Sequence, residues 1–275
     1  MSAAPSVSGT LKTPVLLVGA GALGSAILQG WRRTGAVAPK DVMILDLHPG
    51  EEANRYAADG ARLNPGPESW GEARTIVMAV KPHHWREAAQ ILTFSLSPAA
   101  VIVSVMAGVR TEDLAKTFDP NPVARVMPTT GVATGQGVAT LYSASDTAFA
   151  AALALFGPIA TTVRVADEGE IDAATAISGS GPAYVYAFTA ALEAAALKLD
   201  LSPEDARTLA RATVISAARM MEETGRDPED LIRQVASPGG TTEAALKVLR
   251  GAGQSLNVLV ETAARAAHNR AKELG

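Results

Sequence analysis

Two glycine-containing turns carry residue types at spacings suited to chemistry. Near the carboxyl end, Ser237-Pro238-Gly239-Gly240-Thr241-Thr242 precedes Glu243 and an apolar helical pattern. Pro238 ends whatever helix comes before it, and Gly239 and Gly240 allow a tight turn with no Cβ in the way. Thr241 or Thr242 is then placed to cap a new helix from Glu243. Such a turn offers backbone N–H groups and two hydroxyls at a helix N-terminus, which is an anion site with a proton donor beside it. An ordinary joint between two helices has the same composition, so the turn alone leaves both readings open. Near the amino end, Gly19-Ala20-Gly21-Ala22-Leu23-Gly24 lies between the apolar run Pro14–Val18 and the helical stretch Ser25–Arg33. A G-x-G-x-x-G turn between strand and helix is the dinucleotide fingerprint: one glycine for the turn, one for approach of the pyrophosphate, one for helix–strand packing.

The elements that must position these turns follow from short apolar runs. Pro14–Val18, Val42–Leu45, Ile76–Val80, Val101–Val105 and Val123–Met127 read as strands buried on both faces. Val138–Tyr142 and Thr162–Val165 read as further strands, and Gly60–Gly71 as a loop. Helical segments at Glu51–Asp59 and Trp85–Leu92 make crossovers, which implies a mostly parallel sheet. Ligands on such a sheet bind at the carboxyl ends of its strands. The glycine turn, Asp46, Lys81-Pro82 and Ala107-Gly108 all fall there. Asp46 stands 22 residues after Gly24. An acid near that spacing bonds the adenosine ribose 2′-OH and favours NADH, whereas a loop aspartate opening the Leu47–Gly50 turn is the alternative.

From Ala166 onward the pattern is helical. A helix at Asp146–Phe156, capped by Ser145 or Asp146, precedes the change; Ala183–Leu197, Ser202 to about Glu223, Pro228–Val235, Glu243–Arg250 and Leu256–Leu274 follow it. Ala183–Leu197 is apolar almost all round, with Glu193 its single charge. A helix of that kind needs cover on every face, and a second copy of the chain packing on its twin supplies it. The expected layout is a tail over residues 1–12, a Rossmann-type α/β dinucleotide-binding domain over 13–165, and an all-α dimerisation domain over 166–275.

Composition narrows the chemistry. The 275 residues carry a net charge of −4, and no Lys/Arg block points to nucleic acid or an anionic membrane. Cysteine is absent, which excludes disulfides, thiolate metal sites and thiol catalysis. The adjacent His83-His84 pair cannot converge on one ion, so no metal site is expected. The apolar stretch Ala173–Leu192 is interrupted by Ser178-Gly179-Ser180-Gly181-Pro182, so a soluble, cytoplasmic protein is expected rather than a membrane span. With no Ser-His-Asp pattern and no Walker lysine, the reaction must come from the dinucleotide. A threonine hydroxyl and backbone N–H groups suit reduction of a C=N bond in a small anion better than alcohol oxidation, which needs a real base.

Three segments together resemble the pyrroline-5-carboxylate reductase family: Gly19–Gly24 with Ala79-Val80-Lys81-Pro82-His83, Asp172–Tyr184, and Val235–Leu249. The resemblance spans residues 14–274. It implies reduction of 1-pyrroline-5-carboxylate to L-proline with NADPH or NADH, by a homodimer that can join into larger assemblies of dimers. It implies that Ser237, Gly239, Gly240, Thr241 and Thr242 hold the substrate carboxylate, with the Thr242 hydroxyl on the ring nitrogen. The cofactor is then held by Gly19, Ala20, Gly21, Ala22, Leu23, Gly24, Asp46, Asn64, Ala79, Val80, Lys81, Pro82, Ala107, Gly108, Met127 and Pro128. In dimers of this family the site combines one subunit's Rossmann domain with the other's helices.

Two departures stand out. The family's Met-Pro-Asn-x-Pro is here Met127-Pro128-Thr129-Thr130-Gly131, and Asp46 stands where NADPH users carry small, polar or basic residues; His48 or Arg55 is the candidate to offset it. The alternatives are a related cyclic imine or ketimine reductase, a β-hydroxyacid dehydrogenase, and a non-catalytic NAD(P)-binding protein. The dehydrogenase class needs a lysine that Ala183–Leu197 lacks, and the intact turn at 237–242 speaks against the non-catalytic reading.

Overall fold

The computed structural model describes residues 11–251, 253 and 255–274. The chain divides into two compact units, 1–179 with 268–275, and 180–267. Of the expected tail, residues 1–10 lie outside the described residues. Leu11 packs on the core, and the Thr75 hydroxyl donates to the Lys12 carbonyl at 2.9 Å.

The first unit is built on an eight-stranded sheet: β1 (Val15–Val18), β2 (Val42–Leu45), β3 (Arg62–Leu63), β4 (Thr75–Met78), β5 (Val101–Ser104), β6 (Val123–Pro128), β7 (Gly137–Tyr142) and β8 (Ala160–Arg164), in the order β3-β2-β1-β4-β5-β6-β7-β8. β3 falls inside the expected loop. With only two residues it shows no alternation, and it exists through pairing with Met43 and Ile44 of β2. β4 ends two residues short of the expected Val80, which leaves Ala79 and Val80 past the ladder. All pairings are parallel except β6 with β7. The connection from Pro128 to Gly137 is too short for a crossover helix, so β7 must return antiparallel.

Strand alternation divides the core. Val15 and Leu17 pack with Ile27 and Trp31 of α1 (Ala22–Thr34), Tyr56 of α2 (Glu51–Ala58) and, from further on, Phe149. Leu16 and Val18 pack on the other face with Trp85 of α3 (Trp85–Thr93) and Phe118 of α4 (Thr111–Phe118). β1 therefore reads as a continuous apolar run, as double-sided burial requires. Ser145 caps α5 (Asp146–Phe156), which carries Phe149, by accepting the Ala148 N–H at 3.3 Å.

α6 (Glu170–Ala174) runs into a π-helical turn over Thr175–Gly179. The first compact unit extends through Gly179. Arg125 of β6, only 2% exposed, meets Glu168 at 3.1 Å and Asp172 at 3.6 Å. Glu168 also accepts from the Thr111 N–H and hydroxyl at 2.8 and 2.7 Å. Breaking a buried pair of this kind strands a charge, which costs about 3–5 kcal/mol. The cluster holds residues 168–172 to the sheet although their composition already reads as helical.

The second unit contains α7 (Gly181–Lys198), α8 (Pro203–Thr224), α9 (Pro228–Val235), α10 (Thr241–Leu249) and α11 (Leu256–Leu274) as far as Ala267. Ser202 and Asp227 cap α8 and α9, accepting N–H groups of Asp205 and Glu229 at 3.1 and 2.8 Å. No residue of α7 is buried, and Tyr186 is 71% exposed. Val185, Phe188 and Leu197 are exposed as well.

Candidate functional site

The glycine turn sits between β1 and α1, and β1 has β2 on one side and β4 on the other. This is the point where strand order reverses, the usual crevice for a dinucleotide. The three glycines serve different needs. A Cβ on Gly19, whose φ is +96°, would lie 2.7 Å from the Ala79 carbonyl oxygen. A Cβ on Gly24 would lie 2.2 Å from the Gly19 carbonyl oxygen. A Cβ on Gly21 would meet nothing within 4 Å. The protein itself demands Gly19 and Gly24, whereas Gly21 leaves open the space a pyrophosphate would take. Gly21 is also the N-cap of α1, and no side chain caps that helix. Its first N–H groups thus lack intrahelical partners. The residues present therefore fit a dinucleotide.

A cleft of about 810 Å³ opens beside this turn, lined by Gly19, Gly21, Asp46, Asn64, Ala79, Val80 and Lys81 among others. Ala20, in the same turn, donates its N–H to Asp46 Oδ2 at 2.6 Å. The other oxygen, Oδ1, accepts the His48 N–H at 2.7 Å. Asp46 thus opens the turn after β2, as one of its two readings has it, and its carboxylate also reaches the glycine loop. Asn64, with φ +47°, braces it: Oδ1 accepts the Asp46 N–H and Nδ2 donates to the Asp46 carbonyl, each at 2.9 Å. Ala107, Gly108, Met127 and Pro128 do not line this cleft; they follow β5 or belong to β6. Pro82, Ala22, Leu23 and Gly24 are likewise off its lining.

Sequence reasoning missed the apolar wall formed by Trp70, Ala88, Ile91 and Leu92. Ala88, Ile91 and Leu92 recur at helical spacing on α3 and could have been found; Trp70 lies in the short 3-10 helix Pro67–Glu72, which carries no such periodicity.

The second turn differs in detail from expectation. The Gly240 N–H donates to the Ser237 carbonyl at 3.0 Å around Gly239, whose φ is +73°. With proline second and a positive φ third, this has the form of a type II turn. The N-cap of α10 is Gly240, not Thr241 or Thr242, and no side chain caps the helix. Glu243 instead reaches back to the Gly239 N–H at 2.5 Å and pairs with Lys247 at 3.1 Å. Those contacts, the Gly239 N–H first, hold its carboxyl below the usual glutamate range. Two N–H groups of the turn are thus occupied. Those of Thr241, Thr242 and Glu243 precede the first helical bond, from Ala244 to Gly240.

Residues 168–274 match a model described as pyrroline-5-carboxylate reductase dimerisation, and residues 14–108 one described as NADP oxidoreductase, coenzyme F420-dependent. Across the whole chain, the pyrroline-5-carboxylate reductase of Pseudomonas aeruginosa is 36% identical, with 96% of this chain and 98% of that one covered. The chain belongs to the pyrroline-5-carboxylate reductase family. A Coxiella burnetii pyrroline-5-carboxylate reductase structure superposes with a TM-score of 0.87 at 30% identity, covering 96% of this chain and 98% of that one. A Plasmodium falciparum pyrroline carboxylate reductase, solved with NADP bound, gives 0.81 at 25% identity, covering 97% and 99%.

Within this pyrroline-5-carboxylate reductase family member, the departure at Thr129-Thr130-Gly131 has a structural use. The Thr129 side chain accepts the Val138 N–H at 3.0 Å, and its own N–H donates to the Val138 carbonyl at 2.8 Å. The threonine therefore fastens the start of β7. The loop then lies against α1 at Gly30, where a Cβ would come 2.2 Å from the Val132 carbonyl oxygen. Among the described residues no helix is long and apolar enough to cross a membrane.

Proposed function

We infer that the protein reduces 1-pyrroline-5-carboxylate to L-proline, the last step of proline biosynthesis, using NAD(P)H. The near-full-length likeness to pyrroline-5-carboxylate reductases carries this reading, and the opening left at Gly21 supports it. The reduced nicotinamide, when bound, supplies the hydride. The chain's own part is to bind, orient and handle at most one proton. The uncapped start of α1 takes the pyrophosphate, with Gly19, Ala20, Gly21, Ala22, Leu23 and Gly24 shaping the turn. Asp46 and Asn64 serve the adenosine side. Ala79, Val80, Lys81, Pro82, Ala107, Gly108, Met127 and Pro128, past or near the strand ends, serve the nicotinamide side.

The N–H groups of Thr241, Thr242 and Glu243 take the substrate carboxylate at the start of α10. Ser237, Gly239 and Gly240 shape the turn that presents them. The Thr242 hydroxyl orients the ring nitrogen. Hydride adds to the imine carbon as the C=N π pair moves onto the nitrogen, which stays in the ring as the secondary amine; because the imine is already protonated, no strong base is required. The exposed apolar faces of α7 are covered by a second copy, giving a homodimer in the cytoplasm that can join into larger assemblies of dimers.

Loss of absorbance at the reduced nicotinamide band with 1-pyrroline-5-carboxylate tests the reaction. Steady loss is expected. No turnover by folded protein that binds cofactor would transfer the reading to a related cyclic imine reductase, for which the loop Thr129-Thr130-Gly131 is the motive.

A further inference from the structure

We propose that this enzyme prefers NADH to NADPH, with Asp46 as the residue that discriminates and Asn64 as the residue that positions it. The proposal rests on the cofactor cleft assigned above. An acid at this place pairs with a ribose 2′-OH, and the same acid repels a 2′-phosphate. That logic fails if the carboxylate can swing aside. Here four hydrogen bonds hold the residue. Its two carboxylate oxygens accept the N–H groups of Ala20 and His48 at 2.6 and 2.7 Å. Its own N–H and carbonyl are both engaged by the Asn64 amide at 2.9 Å. Moving the carboxylate away breaks its bond to the glycine turn, the segment the pyrophosphate must also approach.

The neighbouring arginines give a 2′-phosphate little compensation. Arg55, the nearest arginine after β2, is spent on Glu51 and lies 3.7 Å from Glu52. Arg62 on β3 is bound through both terminal nitrogens to Glu72, at 3.1 and 2.8 Å. The start of α2, the other local feature that favours an anion, already carries Glu51 and Glu52 in its first turn. His48 lines the cleft, but its backbone N–H serves the Asp46 carboxylate and so helps to fix it. Lys81 and His84 line the cleft from the segment after β4, where His84 lies 4.0 Å from Glu87. A phosphate carrying up to two negative charges would therefore face a fixed carboxylate with no uncommitted arginine beside it.

The test compares kcat/KM for NADH and NADPH in the wild type, Asp46→Ser and Asn64→Gly. Glycine at 64 keeps the positive φ available while removing the amide. The wild type should favour NADH by about tenfold or more, and Asp46→Ser should cut that ratio by about tenfold or more. Asn64→Gly should lower the ratio in the same direction by a smaller factor, an effect that mere loosening of the fold would not produce. Titration of nicotinamide fluorescence measures both affinities without turnover. If 1-pyrroline-5-carboxylate is not reduced with either cofactor while NADH still binds more tightly, the substrate reading falls and the cofactor proposal stands. Tighter binding of NADPH by the wild type, or an unchanged ratio in Asp46→Ser, overturns the proposal.

Discussion

The protein contains two glycine-rich turns that each open a helix, and they differ in what demands their glycines. In the turn at residues 19–24, Gly19 and Gly24 answer to backbone carbonyls less than 3 Å from where a Cβ would sit. In the turn at 237–242, Gly239 has open space around it and is required by its φ of +73° alone, while a Cβ on Gly240 would meet only the turn's own Ser237, its Oγ at 2.6 Å and its carbonyl oxygen at 3.0 Å. In the first turn Gly19, Ala20 and Gly24 are buried between strand and helix; the second stands at the start of α10, none of whose residues is buried. Local hydrogen bonds must therefore hold the second in shape, and Glu243 with the Ser237 carbonyl does so. A similar motif becomes packing-determined in one place and hydrogen-bond-determined in the other.

Substitutions can break or sharpen that contrast. Gly24→Ala forces a methyl against backbone and should destabilise the first unit by about 3 kcal/mol, read as a lowered thermal midpoint with cofactor binding lost alongside. An unchanged midpoint would show that this turn is not packing-determined. Thr242→Ala should lower kcat by about 10²-fold with cofactor affinity unchanged, since the hydroxyl acts only at the reacting nitrogen. Wild-type kinetics would remove it from the reaction. Gly21→Ala should fold normally, because its Cβ meets nothing, yet weaken cofactor binding by about tenfold. A stability loss comparable with that of Gly24→Ala would erase the distinction between the two glycines.

The smallest effect concerns Glu243. Its carboxyl is held below the ordinary range in the folded protein. A depressed pKa contributes stability above the unfolded value, and that contribution disappears as pH falls through the folded value. The thermal midpoint of the wild type should exceed that of Glu243→Gln slightly near neutral pH, and the two should converge in acid below the ordinary glutamate range. A difference that persists or grows in acid would contradict the assigned contact.

Much of this architecture was legible in the residues. The four-residue strands from Val42 and Val101 showed as continuous apolar runs because both faces are covered. α8 and α9 began where Ser202-Pro203 and Pro228 indicated, since capping and the missing proline N–H act within one turn. The cap of α10 was not legible, because Gly240, Thr241 and Thr242 all suit a helix start and only the reach of Glu243 decides among them. The antiparallel β7 followed from loop length together with pairing, which no periodicity encodes. The segment at 168–172 looked helical and is helical from Glu170, yet Arg125, 43 residues before Glu168, assigns it to the first unit.

The residues by themselves determined the strand–turn–helix entry to the sheet, the helical second half and the family, because periodicity, capping and glycine tolerance depend on near neighbours. Tertiary structure decided where Asp46 points, which glycine is left for a ligand, and what the helix α7 lacks. Each of those depends on what distant positions bring together or fail to supply: the Ala20 N–H with a carboxylate 26 residues on, the Ala79 carbonyl beside Gly19, and the cover that Tyr186 and Phe188 of α7 do not find.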